Sequence, residues 1–350
     1  ALAKSEQPDA ILIAGDIYDT PVPSAEAVSV FDAFLSALCE IEPQIAVMII
    51  AGNHDSARRI DFASSILAKH EVYIAGLPPM QEGETIRRVT LADGYGEVDF
   101  YLLPFVKPGY VRKLFDEEIK GYDMAVRRLI EREEIDPARR CVILSHQFYT
   151  AGGKEPATCD SEIHYVGGVE NVDAGVLAPF DYAALGHIHR SQHIGAEKCR
   201  YCGTPFPYSV SEAGEEKSVT VVELGEKGQP PAIRQIPLTP VREVKKLTGT
   251  LHEILEQAVC HAFVSITLTD DVEAFQPKER LEEKYDHILE IRIDNARTRK
   301  LLSDTEEQLA EVRPEEAFAM FFSEMNGREM TPEERELMRQ VIAQEMEGDE

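Results

Sequence analysis

Four short apolar runs in this 350-residue chain end in the same kind of chemistry. ILIA (11–14) leads into Gly15-Asp16, and VMIIA (47–51) into Gly52-Asn53-His54-Asp55. CVILS (141–145) ends at His146, and DYAAL (181–185) leads into Gly186-His187-Ile188-His189. Such apolar runs read as strands. Each delivers polar side chains at its C-terminal end, where sites sit in open α/β sheets. This order constrains the chain to an α/β fold.

The residue types suit divalent cations. Asp16 offers a carboxylate, Asn53 a carbonyl oxygen, and His146, His187 and His189 imidazole nitrogens. Mixed O and N donors without thiolate favour Mn²⁺, Fe²⁺ or Zn²⁺ over Ca²⁺. One carboxylate shared by two ions holds them roughly 3.5–4 Å apart, the spacing for in-line attack at phosphorus. His187 and His189 are two residues apart, so in an extended segment they point to one side. His54 is placed to protonate, or bring positive charge to, phosphoryl oxygens, and Asp55 to orient that imidazole. Taken singly, Gly-Asp and Asn-His are ordinary turn dipeptides, and a lone His is more often a loop residue than a ligand. Four pieces in order carry the weight.

The order GDxxD, GNHD, H, GHxH resembles the calcineurin-like metallophosphoesterase superfamily. IAGDIYDTPVPSAEA, AGNHDSARR, LSHQFYTAGG, YVGGVENVD, YAALGHIHR and YCGTPFPYSVSE are similar to the bacterial SbcD-type nuclease subunits, from residue 9 to about 225. The resemblance implies that Asp16 bridges two metals. Asn53, His146 and His187 complete one ion, His189 helps hold the other, and His54 acts as catalytic acid or transition-state stabiliser. It also implies two ions, with manganese the expected metal. The implied fold is a two-sheet β-sandwich flanked by helices, then a small α+β capping domain and C-terminal helices.

The superfamily opens with an Asp-x-His on its first strand, and none precedes Asp16. The chain begins ALAKSEQPDA, which reads as a helix end leading into a strand. His70 and His164 lie in the wrong contexts to substitute. A preceding segment is therefore expected, and the chain as written should hold one ion well and the other poorly.

The formal charge is −27. By itself this opposes nucleic-acid binding, which is driven by Lys and Arg releasing counterions. The charge is uneven: residues 301–350 hold 15 acidic and 4 basic residues, and bound cations reverse the local field at a metal site. No run approaches the ~18 apolar residues of a membrane span. Six scattered cysteines read as reduced thiols, and a cytoplasmic location is expected. Cys199-x-x-Cys202 lacks the second pair a zinc ribbon needs.

Residues 10–225 alternate strand and helix signals. Ser24 caps a predicted helix over 25–39, with Val28, Phe31, Phe34, Leu35 and Leu38 on one face. Further helices are expected over 57–69 and 110–134. Strands are expected at 84–91 and 97–104, joined at Asp93-Gly94, and a long loop over 150–175. Strands at 217–224 and 231–237 should close the first domain. The expected domains are 1–238 for hydrolysis, 239–300 as an α+β cap, and 301–350 as an acidic helical tail. In the tail, Thr331 and Glu334 form a capping box. Phe318, Phe321 and Phe322 form a stripe that packs on the cap or docks a partner.

The function the resemblance implies is a DNA nuclease subunit working with an SbcC-type coiled-coil ATPase, two copies of each. The implied activities are ATP-dependent 3′→5′ exonuclease and single-strand or hairpin endonuclease, in recombination, replication and repair. One alternative is a small-molecule phosphodiesterase or nucleotidase. The other, should the first motif be lacking, is a non-catalytic DNA-end or assembly subunit.

Overall fold

Strands form where the β-branched runs stand. The computed structural model describes residues 1–162, 170–270, 276–295 and 314–347. Contacts divide the chain into two units, Ala1–Glu243 and Val244–Glu350.

In the first unit, β1 (Ala10–Ile13), β2 (Ala46–Ile50) and β3 (Val72–Ala75) form a parallel sheet in that order. Leu12 aligns with Met48, and Met48 with Tyr73. A hairpin of β4 (Arg87–Asp93) and β5 (Gly96–Leu103) turns near the expected Asp93-Gly94 and starts the second sheet. β6 (Arg140–His146) adds to β5 in parallel. β7 (Phe148–Thr150) and β8 (Asn171–Asp173) pair separately. β9 (Tyr182–Gly186), β10 (Gln192–Ile194) and β11 (Ala196–Tyr201) complete the second sheet, in the order β10-β11-β9-β6-β5-β4.

The two sheets bury one core between them. Met48 and Ile50 of the first pack with Phe100, Leu102, Leu144 and Tyr182 of the second. Helix Ala25–Cys39 covers the outer face of the first sheet, its Ser24 Oγ accepting the Ala27 N–H at 3.1 Å. Phe31, Leu35 and Leu38 pack there, whereas Val28 and Phe34 are exposed. Helix Gly121–Glu131 covers the outer face of the second sheet through Val126, Leu129 and Ile130. This is the expected two-sheet sandwich flanked by helices.

Two predicted helices are broken. The 57–69 segment is Ala57–Ile60, Ser64–Leu67 and a tight turn Ala68–His70, because Ala63 adopts φ 60°. The 110–134 segment keeps Pro108–Val111 and Gly121–Glu131, separated by extended Phe115 and by Gly121 at φ 76°. β12 (Ser218–Glu223) and β13 (Ala232–Pro237) form their own hairpin, and Val222 and Ile233 pack against the inter-sheet core.

In the second unit, β14 (Val244–Gly249), β15 (Phe263–Leu268) and β16 (Ile288–Ile293) form a parallel sheet. Helices Leu251–Glu256 and Pro277–Glu282 connect them, and Leu251, Ile254, Val264, Ile266 and Leu281 make the core. Helices Pro314–Asn326 and Pro332–Glu347 follow. The Thr331 N–H donates to Glu334 Oε2 at 2.8 Å and the Glu334 N–H to Thr331 Oγ1 at 3.3 Å, the expected capping box. Among the described residues no helix is long and apolar enough to cross a membrane.

Candidate metal centre

The site lies at the C-terminal ends of β1, β2, β6 and β9. Gly15 (φ 88°) and Asp16 (φ 50°) turn the chain left-handed just after β1. The motif glycines permit close approach. A Cβ on Gly52 would stand 2.1 Å from Asp16 Oδ1, and one on Gly186 would stand 1.9 Å from the Ala14 carbonyl oxygen.

Four of the five expected ligands converge. His146 Nδ1 donates to the Ala14 carbonyl at 2.6 Å. Its Nε2 lies 3.1 Å from Asp16 Oδ2 and 3.0 Å from Asn53 Oδ1. Asn53 Oδ1 also lies 3.0 Å from His187 Nδ1. The ligating atoms of Asp16, His146 and His187 all fall within 4.8 Å of one another.

This arrangement tests whether a cation fits. With Nδ1 donating to a carbonyl, the neutral His146 ring turns a lone pair toward two oxygen acceptors. Only a proton or a metal makes that favourable. Burial opposes charge on His146, but the Asp16 carboxylate outweighs it and raises the pKa. Burial likewise pushes Asp16 upward, yet His146 and the His54 N–H (2.9 Å) hold it well below the carboxylate range. A divalent cation can replace the proton of this pair. One carboxylate oxygen, one amide oxygen and two imidazole nitrogens suit Mn²⁺, Fe²⁺ or Zn²⁺.

His189 does not join that group. Its Nδ1 lies 2.9 Å from Ser161 Oγ and 3.4 Å from Glu212 Oε1, in a cluster with Cys159. His164 lies outside the described residues.

The expected pairing of Asp55 with His54 is not formed. Asp55 Oδ2 accepts the N–H groups of Gly52 (2.9 Å) and Ile17 (3.1 Å), and Oδ1 that of Tyr18 (3.0 Å). Asp55 therefore ties the β1 and β2 loops together. The His54 ring faces Asp19 instead, with Nδ1 3.0 Å from its carbonyl oxygen.

Sequence reasoning missed the polar support around His189: half-buried Ser161 with buried Glu162, Glu212 and Lys217. A signal for Glu212 existed in Ser209-x-x-Glu212, which forms a capping box. In the tail, Phe321 is 57% exposed, Phe318 lies 6.2 Å from it, and Arg328 stacks 4.9 Å over Phe322.

Known proteins match this sequence. Residues 1–191 match the family described as calcineurin-like phosphoesterase. Residues 237–326 match the family described as type 5 capsule protein repressor C-terminal domain. The SbcD component of the SbcCD nuclease from Staphylococcus epidermidis is 31% identical over 294 residues, covering 82% of this chain and 75% of that protein. With the candidate ligands gathered at the strand ends, the chain belongs to the calcineurin-like phosphoesterases, within the family of the SbcD components of SbcCD nucleases.

Proposed function

We propose that the chain is a metal-dependent nuclease subunit that hydrolyses phosphodiester bonds in DNA as part of an SbcCD-type complex. The observation that carries this reading is the convergence of Asp16 Oδ2, Asn53 Oδ1, His146 Nε2 and His187 Nδ1. These residues hold one ion. Asp16 and His189 contribute to a neighbouring one, which they hold weakly unless further ligands join them. Divalent cations held there, preferably Mn²⁺, would supply polarisation of a phosphoryl oxygen and a lowered pKa for water.

The chain supplies the rest. Asp55 fixes the β1 and β2 loops, so Asp16 and Asn53 keep their relative position. His54, anchored through Nδ1 at the Asp19 carbonyl, presents Nε2 to carry a proton to the leaving oxygen or to offset phosphoryl charge. Residues 1–238 carry hydrolysis, 239–300 cap it, and 301–350 dock an SbcC-type coiled-coil ATPase through Phe318, Phe321 and Phe322. Two copies of each subunit, working in the cytoplasm, complete the reading.

The test pairs Mn²⁺ calorimetry with nicking of duplex DNA, on the wild type and on Asn53→Ala. The variant should lose the tighter ion and the nicking together. Equal binding and equal nicking in both proteins would refute the assignment.

A further inference from the structure

Every polar group of His189 except Nε2 has a partner among the described residues. Its N–H donates to Glu162 Oε1 at 2.5 Å. Its carbonyl accepts from the Thr204 N–H (3.1 Å) and Lys217 Nζ (3.2 Å). Its Nδ1 meets Ser161 Oγ and Glu212 Oε1. The hub of this cage is Glu212, whose side chain is fully buried. Its oxygens accept from Lys217 Nζ (2.5 Å), Ser209 N–H (3.0 Å), Tyr208 N–H (3.1 Å), Ser161 Oγ (3.2 Å) and Thr204 Oγ1 (3.3 Å).

Proton counting decides which His189 nitrogen carries hydrogen. The Glu212 oxygens meet five donors, among them the Lys217 ammonium and two backbone N–H groups, and this setting holds the carboxyl ionised. An ionised carboxylate only accepts. Ser161 has one hydroxyl proton, which goes to Glu212 Oε1. Ser161 Oγ can then only accept from His189, and so can Glu212. Both partners require Nδ1–H, which leaves Nε2 as the basic nitrogen. Outer carboxylates that fix the tautomer of a ligating His act in this way at metal sites generally.

We infer that Glu212, neutralised by Lys217, is a positioning residue that fixes His189 in the Nδ1–H tautomer and so presents Nε2 to a divalent cation. This rests on the reading of His189 as a ligand. Cys159, which completes the cluster, hydrogen-bonds Ser161 Oγ through Sγ at 3.1 Å and faces the cage without closing it. Lys217 serves twice, steadying the carboxylate and gripping the His189 carbonyl.

The test uses two paired variants, so that no ammonium is left buried alone. Glu212→Leu with Lys217→Met removes charge and acceptor together, and replacing a buried ion pair by apolar groups of similar volume is often neutral for folding. Glu212→Gln with Lys217→Met removes the charge but keeps an acceptor at the Oε1 position. Long-range ¹H–¹⁵N spectra of histidine-labelled protein report the tautomer, with His189 assigned by its loss in His189→Gln. Calorimetry with Mn²⁺ reports affinity. Wild type and the Gln/Met variant should show Nδ1–H. The Leu/Met variant should shift to Nε2–H and bind the His189-dependent ion about 10- to 100-fold more weakly. Nε2–H in the wild type, or unchanged tautomer and affinity in the Leu/Met variant, overturns the inference. Unchanged Mn²⁺ binding in His189→Gln overturns the ligand reading and the inference with it.

Discussion

Asp55 separates two accounts of the GNHD motif. If it orients His54, its loss slows turnover and little else. If it clamps the two loops, its loss is felt in stability and metal affinity. Three backbone N–H groups point at its carboxylate. Stranding buried donors costs about 1–3 kcal/mol each, so Asp55→Ala could lose up to about 9 kcal/mol. Relief opposes this. Burial, with the Asp16 charge beside it, raises the Asp55 pKa despite those three bonds, so removing the charge returns part of the loss. A net of about 3–5 kcal/mol is expected, far above the shift of a surface substitution. Asp55→Asn keeps one acceptor oxygen for Gly52 and Ile17 but turns its NH₂ toward the Tyr18 N–H, so about 1–2 kcal/mol is expected.

The pH dependence follows from the sign of the shift. A carboxyl whose folded pKa is raised makes stability fall as pH rises from about 3.9 through the folded value. That contribution should vanish in Asp55→Asn. Asp16 has the opposite sign: its lowered folded pKa adds stability above about 3.9 that is lost on acidification. Denaturant midpoints followed by circular dichroism, with Mn²⁺ calorimetry and turnover of a chromogenic phosphodiester, decide the matter. Wild-type midpoint and Mn²⁺ affinity in Asp55→Ala, with turnover down 100-fold, would refute the clamp.

Other outcomes test neighbouring parts. His54→Ser should keep Mn²⁺ affinity and lower turnover by about 10²-fold, read by calorimetry and steady-state kinetics. Gly52→Ala drives a methyl into Asp16 Oδ1 and should abolish tight Mn²⁺ binding at equilibrium dialysis. Because the His146 pKa is raised by Asp16 after burial has lowered it, an ion must displace one proton below that pKa. Mn²⁺ affinity should there fall about tenfold per pH unit and level off above it. Phe321→Ala should weaken pull-down of an SbcC-type ATPase without changing hydrolysis of a small phosphodiester. Unfolding of the second unit would instead place Phe321 in its core.

The candidate ligands were legible because each stands in its own short context: an apolar run, then a polar residue at the strand end, with a glycine before it in three of the four pieces. Helix Ala25–Cys39 was legible from Ser24 and its period, although Val28 and Phe34 stay exposed. The break at Ala63 was not, since neither Gly nor Pro marks that left-handed residue. The partners of Asp55 were not legible, because adjacency to His54 suggested a pair, while Tyr18 and Ile17 stand 37 and 38 residues away, with Gly52 close by. Ser161, Glu162, Glu212 and Lys217 were invisible as a group, because only tertiary packing brings them to His189.

The ligands of the converged site come from both leaves of the sandwich. Asp16 and Asn53 follow strands of the first sheet, while His146 ends one strand of the second and His187 follows another. A cation held there would brace the two leaves, and its affinity would depend on the gap between them. That gap is filled by Met48, Ile50, Leu102 and Leu144, which pack between the two sheets. Side chains this tightly packed do not absorb a volume change locally. Enlarging Ala46 or trimming Met48 should therefore spread or narrow the seam, and a misplacement of about 1 Å at reacting groups can cost roughly 10²-fold in rate. Catalytic competence in this protein is thus partly written into an oily interior layer, where a substitution would pass for a folding defect until its metal affinity was measured.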